Sequence, residues 1–161
     1  MGRAGRQRLT LKMIYKYTPT FSVLESPAPS FTAAEAATSA KLWFKDTLDV
    51  SSLVSERDQN FLLKNNKSEK FVLKIANEAE SVEVLDFQNQ AMNHMAKQDP
   101  SLPLPRICIS LDKKQTHRLE LNGKKYYVRV VTYLKGKLLD DLPQDKRDQS
   151  LMVSMGQFLG R

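Results

Sequence analysis

The stretch Phe71-Val72-Leu73-Lys74-Ile75-Ala76 is apolar except for one ammonium. Its length and its aromatic and β-branched residues predict a strand. Alternate residues of a strand share a face, so Lys74 lies beside Val72 and Ala76. A lysine inside an apolar strand either snorkels out at an edge or meets an anion. Just upstream, Asn60 to Lys64 reads as a second short strand, joined to the first through the polar turn Asn65-Asn66-Lys67-Ser68. Downstream, Asn77 with Glu80 three residues on caps a helix from about Glu78 to Lys97. Its apolar side carries Val84 or Leu85, Gln88, Met92 and Met95 at helical spacing. Gln88 is a polar residue inside that stripe, placed where a partner for the Lys74 ammonium would sit.

Further out, Thr32 and Glu35 form a capping-box pattern ahead of a helix from about Ala33 to Asp46, with Ala36, Ala40, Trp43 and Phe44 along one side. Pro100, Pro103 and Pro105 end the long helix and keep the chain extended. Arg106 to Leu111 reads as a strand. His117 to Leu121 alternates, Asn122-Gly123 is a hairpin turn, and Tyr126 to Leu134 returns as a long strand broken by Lys135-Gly136. A last amphipathic helix starts near Gln144 and carries Leu151, Met155, Phe158 and Leu159 on into Arg161. The fold class is therefore α+β: an antiparallel sheet of about five strands with one long helix crossing it.

The sequence has 161 residues, 41% hydrophobic and 27% charged, as expected of one soluble globular unit. No apolar run approaches the roughly 20 residues that span a bilayer, so no membrane partner is expected. Cys108 is the single cysteine, which excludes an internal disulfide and a multi-cysteine metal site. Within Ile107-Cys108-Ile109 it reads as a buried, inert thiol, and a reducing, cytoplasmic setting is the expectation. The net charge of +7 is concentrated at one end: Arg3, Arg6, Arg8, Lys12 and Lys16 precede the first acidic residue, Glu25. A basic face on a folded module would spread its charge differently, so no nucleic-acid partner is expected. Residues 1–29, broken by Pro19, Pro27 and Pro29, form a basic leader. It is a loose tail, an extension ahead of a true start at Met13, or a transit peptide directing the chain to an organelle.

The segment Ser55-Glu56-Arg57-Asp58-Gln59-Asn60-Phe61 is a dense polar turn leading into a strand, suited to covering phosphates with backbone N–H groups although it has no glycine. The run SERDQNFLL (Ser55–Leu63), then FVLKIAN (Phe71–Asn77), then LDFQNQAM (Leu85–Met92) resembles the aminoglycoside phosphotransferase family. Within it, the likeness is to hydroxylysine kinase-like proteins and to the phosphotransferase domain fused ahead of some class III aminotransferases. LPLPRICISLD (Leu102–Asp112), YYVRVVTYLKGKLL (Tyr126–Leu139) and MGQFLGR (Met155–Arg161) agree, so the likeness covers roughly residues 30 to 161.

The resemblance implies a protein-kinase-like amino-terminal lobe over 30–142, with 143–161 starting the helix that leads into an incomplete carboxy-terminal lobe. It implies that Lys74 holds the α- and β-phosphates of ATP or GTP, and that Ser55, Glu56, Arg57, Asp58, Gln59 and Asn60 form the turn over them. Thr132, Tyr133 and Leu134 match the hinge whose backbone would hydrogen-bond the base. Gln88 stands where kinases generally place a glutamate, and an amide can orient an ammonium but not neutralise it.

Family members continue into a second lobe that supplies an Asp base in a His-x-Asp loop and an Asp that binds magnesium. Neither His94 nor His117 sits in such a context. The expectation is a nucleotide-binding lobe that stops before the catalytic loop and is inactive alone. Magnesium would enter only with the missing lobe. The acceptor would be a small hydroxylated or amino-bearing metabolite of the full-length protein. The alternative is a non-catalytic module that binds nucleotide or a partner protein.

Overall fold

The computed structural model describes residues 26–160. The leader expected over 1–29 lies largely outside them. The elements in order are helix α1 (Ala33–Ala40), strands β1 (Asp49–Leu53), β2 (Gln59–Lys64) and β3 (Lys70–Ile75), helix α2 (Val82–Gln98), strands β4 (His117–Leu121) and β5 (Lys124–Thr132), and helix α3 (Gln149–Leu159). The strands form one antiparallel sheet in the order β1-β2-β3-β5-β4. This is the expected α+β lobe, in which α2, the extended segment after it and β4 all lie between β3 and its sheet neighbour β5.

The alternation in Phe71–Ala76 divides the sheet into two faces. Phe61, Leu63, Leu73, Ile75, Val128 and Val130 are all fully buried on one of them. That face is covered by Ala36 and Ala40 of α1, by Phe31, whose ring meets Tyr126 edge-on at 5.2 Å, and by Trp43. Trp43 also donates its indole N–H to the Cys108 carbonyl at 2.9 Å, as a buried tryptophan must find an acceptor. The opposite face carries Asn60, Lys74 and Arg129 and is spanned by α2, of which Leu85 and Asn89 are buried.

Helix α1 starts as its capping box dictates: Glu35 N–H donates to the Thr32 hydroxyl, and the Glu35 carboxylate accepts the Thr32 N–H at 2.7 Å. The helix ends at Ala40, short of the expected Asp46, because the chain turns there to send Trp43 into the core. Helix α2 starts four residues later than expected. Ser81 is its cap, accepting from Val84 N–H, while Asn77 is occupied elsewhere: its amide donates to the Ser26 and Pro27 carbonyls and its Oδ1 accepts from Ala79 N–H.

The expected strand over Arg106–Leu111 reduces to a single bridge, Ile107 to Val131, flanked by bonds from Cys108 N–H to Val130 and from Thr132 N–H to Arg106. It takes the place beside β5 that β4 leaves after Val128. The hairpin forms at Asn122-Gly123, both at positive φ (51° and 75°), as its residue types require. The last helix is capped by Asp148 and begins at Gln149, behind a short turn at Gln144–Lys146, later than the expected Gln144. Among the described residues no helix is long and apolar enough to cross a membrane.

Candidate functional site

Register places Lys74 opposite Asn60 on β2 and opposite Arg129 on β5. All three side chains therefore project from the same face, towards α2. Lys74 does not snorkel into open water. Its Nζ donates to Asn60 Oδ1 at 3.1 Å and lies 3.6 Å from Asp58 Oδ2, with about a quarter of the side chain still accessible (27%). Asp58 is held in turn by the Asn77 N–H at 3.4 Å. The polar turn is thus drawn down onto the lysine by charge.

Around this pair lies a polar cleft of about 290 Å³, lined by Ser55, Glu56, Arg57, Asp58, Asn60, Lys74, Asn77, Glu80 and Gln88. The structure therefore brings most of the expected phosphate-side residues together. Gln59 is the exception. It belongs to the core side of β2, where its amide exchanges two hydrogen bonds with the Phe31 backbone, at 2.7 and 2.8 Å. Period-two alternation through the turn was the signal that would have separated Gln59 from Asn60.

Thr132, Tyr133 and Leu134 line a second recess, of about 340 Å³, with Val72, Met92, Pro105, Arg129 and Val131. Its lining is mainly apolar, and Lys74 borders both recesses. Of the N–H groups in this segment, that of Thr132 is donated to the Arg106 carbonyl and that of Tyr133 to the Lys70 carbonyl at 3.3 Å. The Leu134 N–H takes no protein partner among the described residues. An apolar slot next to an open backbone donor, joined through a lysine to a polar cleft, suits a molecule with a flat apolar end and an anionic end.

Gln88 does not serve Lys74. Its Oε1 accepts from Arg129 Nη2 at 2.6 Å. Arg129 itself, only 6% exposed, also donates to Asn89 Oδ1 at 2.6 Å and reaches the Leu85 carbonyl at 3.5 Å. Burial pulls its guanidinium below the usual arginine value, while Asp58 and Glu80 pull the other way; an arginine stays charged regardless. Sequence reasoning missed Arg129, although it stands in Val128-Arg129-Val130 as Lys74 stands in its own strand. Cys108, expected to be buried, is half-buried, and that burial raises its thiol to about 11.

With this geometry in place, the likeness to known proteins becomes specific. The model of the phosphotransferase enzyme family matches residues 49–161. The chain belongs to the phosphotransferase enzyme family. It is 34% identical over 91 residues to the hydroxylysine kinase of Danio rerio, covering 54% of this chain and 26% of that protein. Two solved structures share the fold. An amicoumacin kinase in complex with AMP-PNP, Ca²⁺ and Ami superposes with a TM-score of 0.65 at 14% identity, over 81% of this chain and 39% of that one. A microcompartment-associated aminopropanol kinase gives 0.57 at 11% identity, over 71% and 36%. The chain thus spans about a quarter of its curated relative and under two-fifths of either structure. Among the described residues no group of three or more His, Cys, Asp or Glu is arranged to hold a metal ion.

Proposed function

We propose that the lobe grips the nucleotide of an ATP- or GTP-dependent small-molecule kinase. The observation that carries this is the position of Lys74 on the border of two unlike recesses. A base would enter the apolar recess, where the extended chain after Thr132 offers the Leu134 N–H to a ring nitrogen. The phosphates would then pass over Lys74 into the polar cleft under the Ser55–Asn60 turn. To do so they must take the place of Asp58 on the ammonium, since one cation would otherwise face two anions. Lys74 would hold and orient the phosphates, and the turn would shield them from water. Magnesium would accompany the phosphates, and its protein ligands and the proton acceptor for the transfer step are proposed to belong to the second lobe that the family resemblance implies. Phosphoryl transfer depends almost wholly on such positioning, so a grip alone would bind without turning over. For the whole protein, the acceptor is proposed to be a small hydroxylated or amino-bearing metabolite, the class to which the names of the relatives point.

Titration of the chain with ATP and GTP, with and without Lys74→Ala, tests this. The substitution is expected to weaken binding about thirtyfold, as loss of a charge-assisted contact would, while the thermal midpoint moves by no more than about 2 °C. Unaltered affinity with a collapsed midpoint would make Lys74 a structural residue and refute the proposal.

A further inference from the structure

Arg129 poses a problem that the nucleotide grip leaves unsolved. It is a buried cation whose partners on α2 are all neutral oxygens: Leu85 O, Gln88 Oε1 and Asn89 Oδ1. These three residues stand at i, i+3 and i+4, so one planar guanidinium reads one helix face. Asn89 is locked in that role because its other end donates to the Thr116 hydroxyl at 3.0 Å. Among the described residues no carboxylate lies within ion-pair distance of Arg129. Removing a cation from water with only neutral partners is expensive, and a carboxylate at position 88 would satisfy the same fork at lower cost. The neutral clamp therefore leaves a positive charge with no direct ion pair, opposite Lys74 on the neighbouring strand and on the border of the apolar recess, where Asp58 and Glu80 act on it only from a distance.

Resting on the nucleotide reading above, we propose that Arg129 is a positioning residue that ties α2 to the sheet through neutral oxygens so that its charge remains available to the phosphates of the bound nucleotide. Lys74 would supply the direct contact. Arg129 would supply the field beneath it, acting from its buried place beside the apolar recess, where a charge is screened less than in water. The same arrangement explains why Lys74 pairs with the turn and not with the helix: the helix amide is already taken.

The experiment uses the full chain and the ladder adenosine, AMP, ADP and ATP, titrated at low and at moderate salt. Gln88→Glu keeps the fork to Arg129 but cancels its charge. It is expected to leave the thermal midpoint equal or higher, to weaken ATP about fivefold and ADP about threefold, and to change adenosine less than about twofold. The graded loss should shrink as salt rises. Arg129→Met should show the same gradation more steeply. Should that variant fail to fold, Gln88→Glu alone decides. A loss equal for adenosine and ATP, or no loss for either, overturns the inference while leaving the nucleotide grip intact. A wild-type chain that binds no member of the ladder overturns the grip, and this inference with it.

Discussion

The two faces of the sheet are built from the same strands, residue by residue in alternation, yet they are held together differently. On the core face, Phe61, Leu63, Leu73, Ile75, Val128 and Val130 exclude water completely. On the cleft face, Asn60, Lys74, Arg129, Gln88 and Asn89 are joined by directed bonds of 2.6 to 3.1 Å, and part of the surface stays wet. Packing is non-directional and roughly proportional to area, whereas a polar network is worth little net in stability but fixes geometry. The comparison therefore assigns stability to one face and, under the proposed function, recognition to the other. Substitutions on either side of a single strand should separate the two.

Leu73→Ala is the harshest test. It leaves a cavity in a face with no access to water and is expected to cost about 2–5 kcal/mol, a large part of what a lobe of this size possesses. Denaturant unfolding should show the loss, and nucleotide binding should fall only in proportion to the unfolded fraction. Its neighbour Val72 points the other way, into the apolar recess. Val72→Ala should cost about 1 kcal/mol or less in stability, because that side chain is only partly buried, and should weaken adenosine and ATP by the same small factor. If the order were reversed, with Val72→Ala the more destabilising, the division of labour between the faces would be wrong.

Much of this division was legible in the sequence. Period-two alternation placed Lys74 opposite the core residues, Thr32 and Glu35 fixed the start of α1, and Asn122-Gly123 fixed the β4–β5 hairpin. These are local signals, written within a few residues of one another. What escaped was non-local. The register of β3 on β5 sets Arg129 across from Lys74, and no pattern within either strand reveals that pairing. Gln88 was correctly placed on the inward side of α2 but given the wrong cation for the same reason. Strand β1, Asp49–Leu53, lay hidden because an edge strand with Ser51 and Ser52 exposed shows little apolar alternation. Asn77 looked like a helix cap by residue type. Its amide instead holds Ser26 and Pro27, some fifty positions away, which only the folded chain brings near.

The smallest effect lies at the rim of the core face, where Asp112 accepts from the Ser110 hydroxyl at 2.6 Å and sits 3.0 Å from Lys114 Nζ. His117 Nε2 is 3.1 Å from the same carboxylate, though not aligned for a hydrogen bond, and its ring packs edge-on against Trp43. The hydrogen bonds from Ser110 and Lys114, helped by the charges of His117 and Lys114, hold the Asp112 carboxyl at about 2, below its ordinary 3.8. A carboxyl depressed in the folded state binds fewer protons there than in the unfolded chain, so its contribution is complete above the ordinary value and disappears as pH falls through about 2. Asp112→Asn should therefore flatten the acid limb of the stability profile between about pH 4 and pH 2 and leave the cleft face untouched. Because the group is exposed to solvent, the change should be slight and should fade further in salt. Acid unfolding of the two proteins, followed by Trp43 fluorescence, would show it. An unchanged acid limb would mean that the Ser110–Asp112–Lys114 turn is organised by its backbone alone, with the carboxylate a bystander at the edge of the packed face.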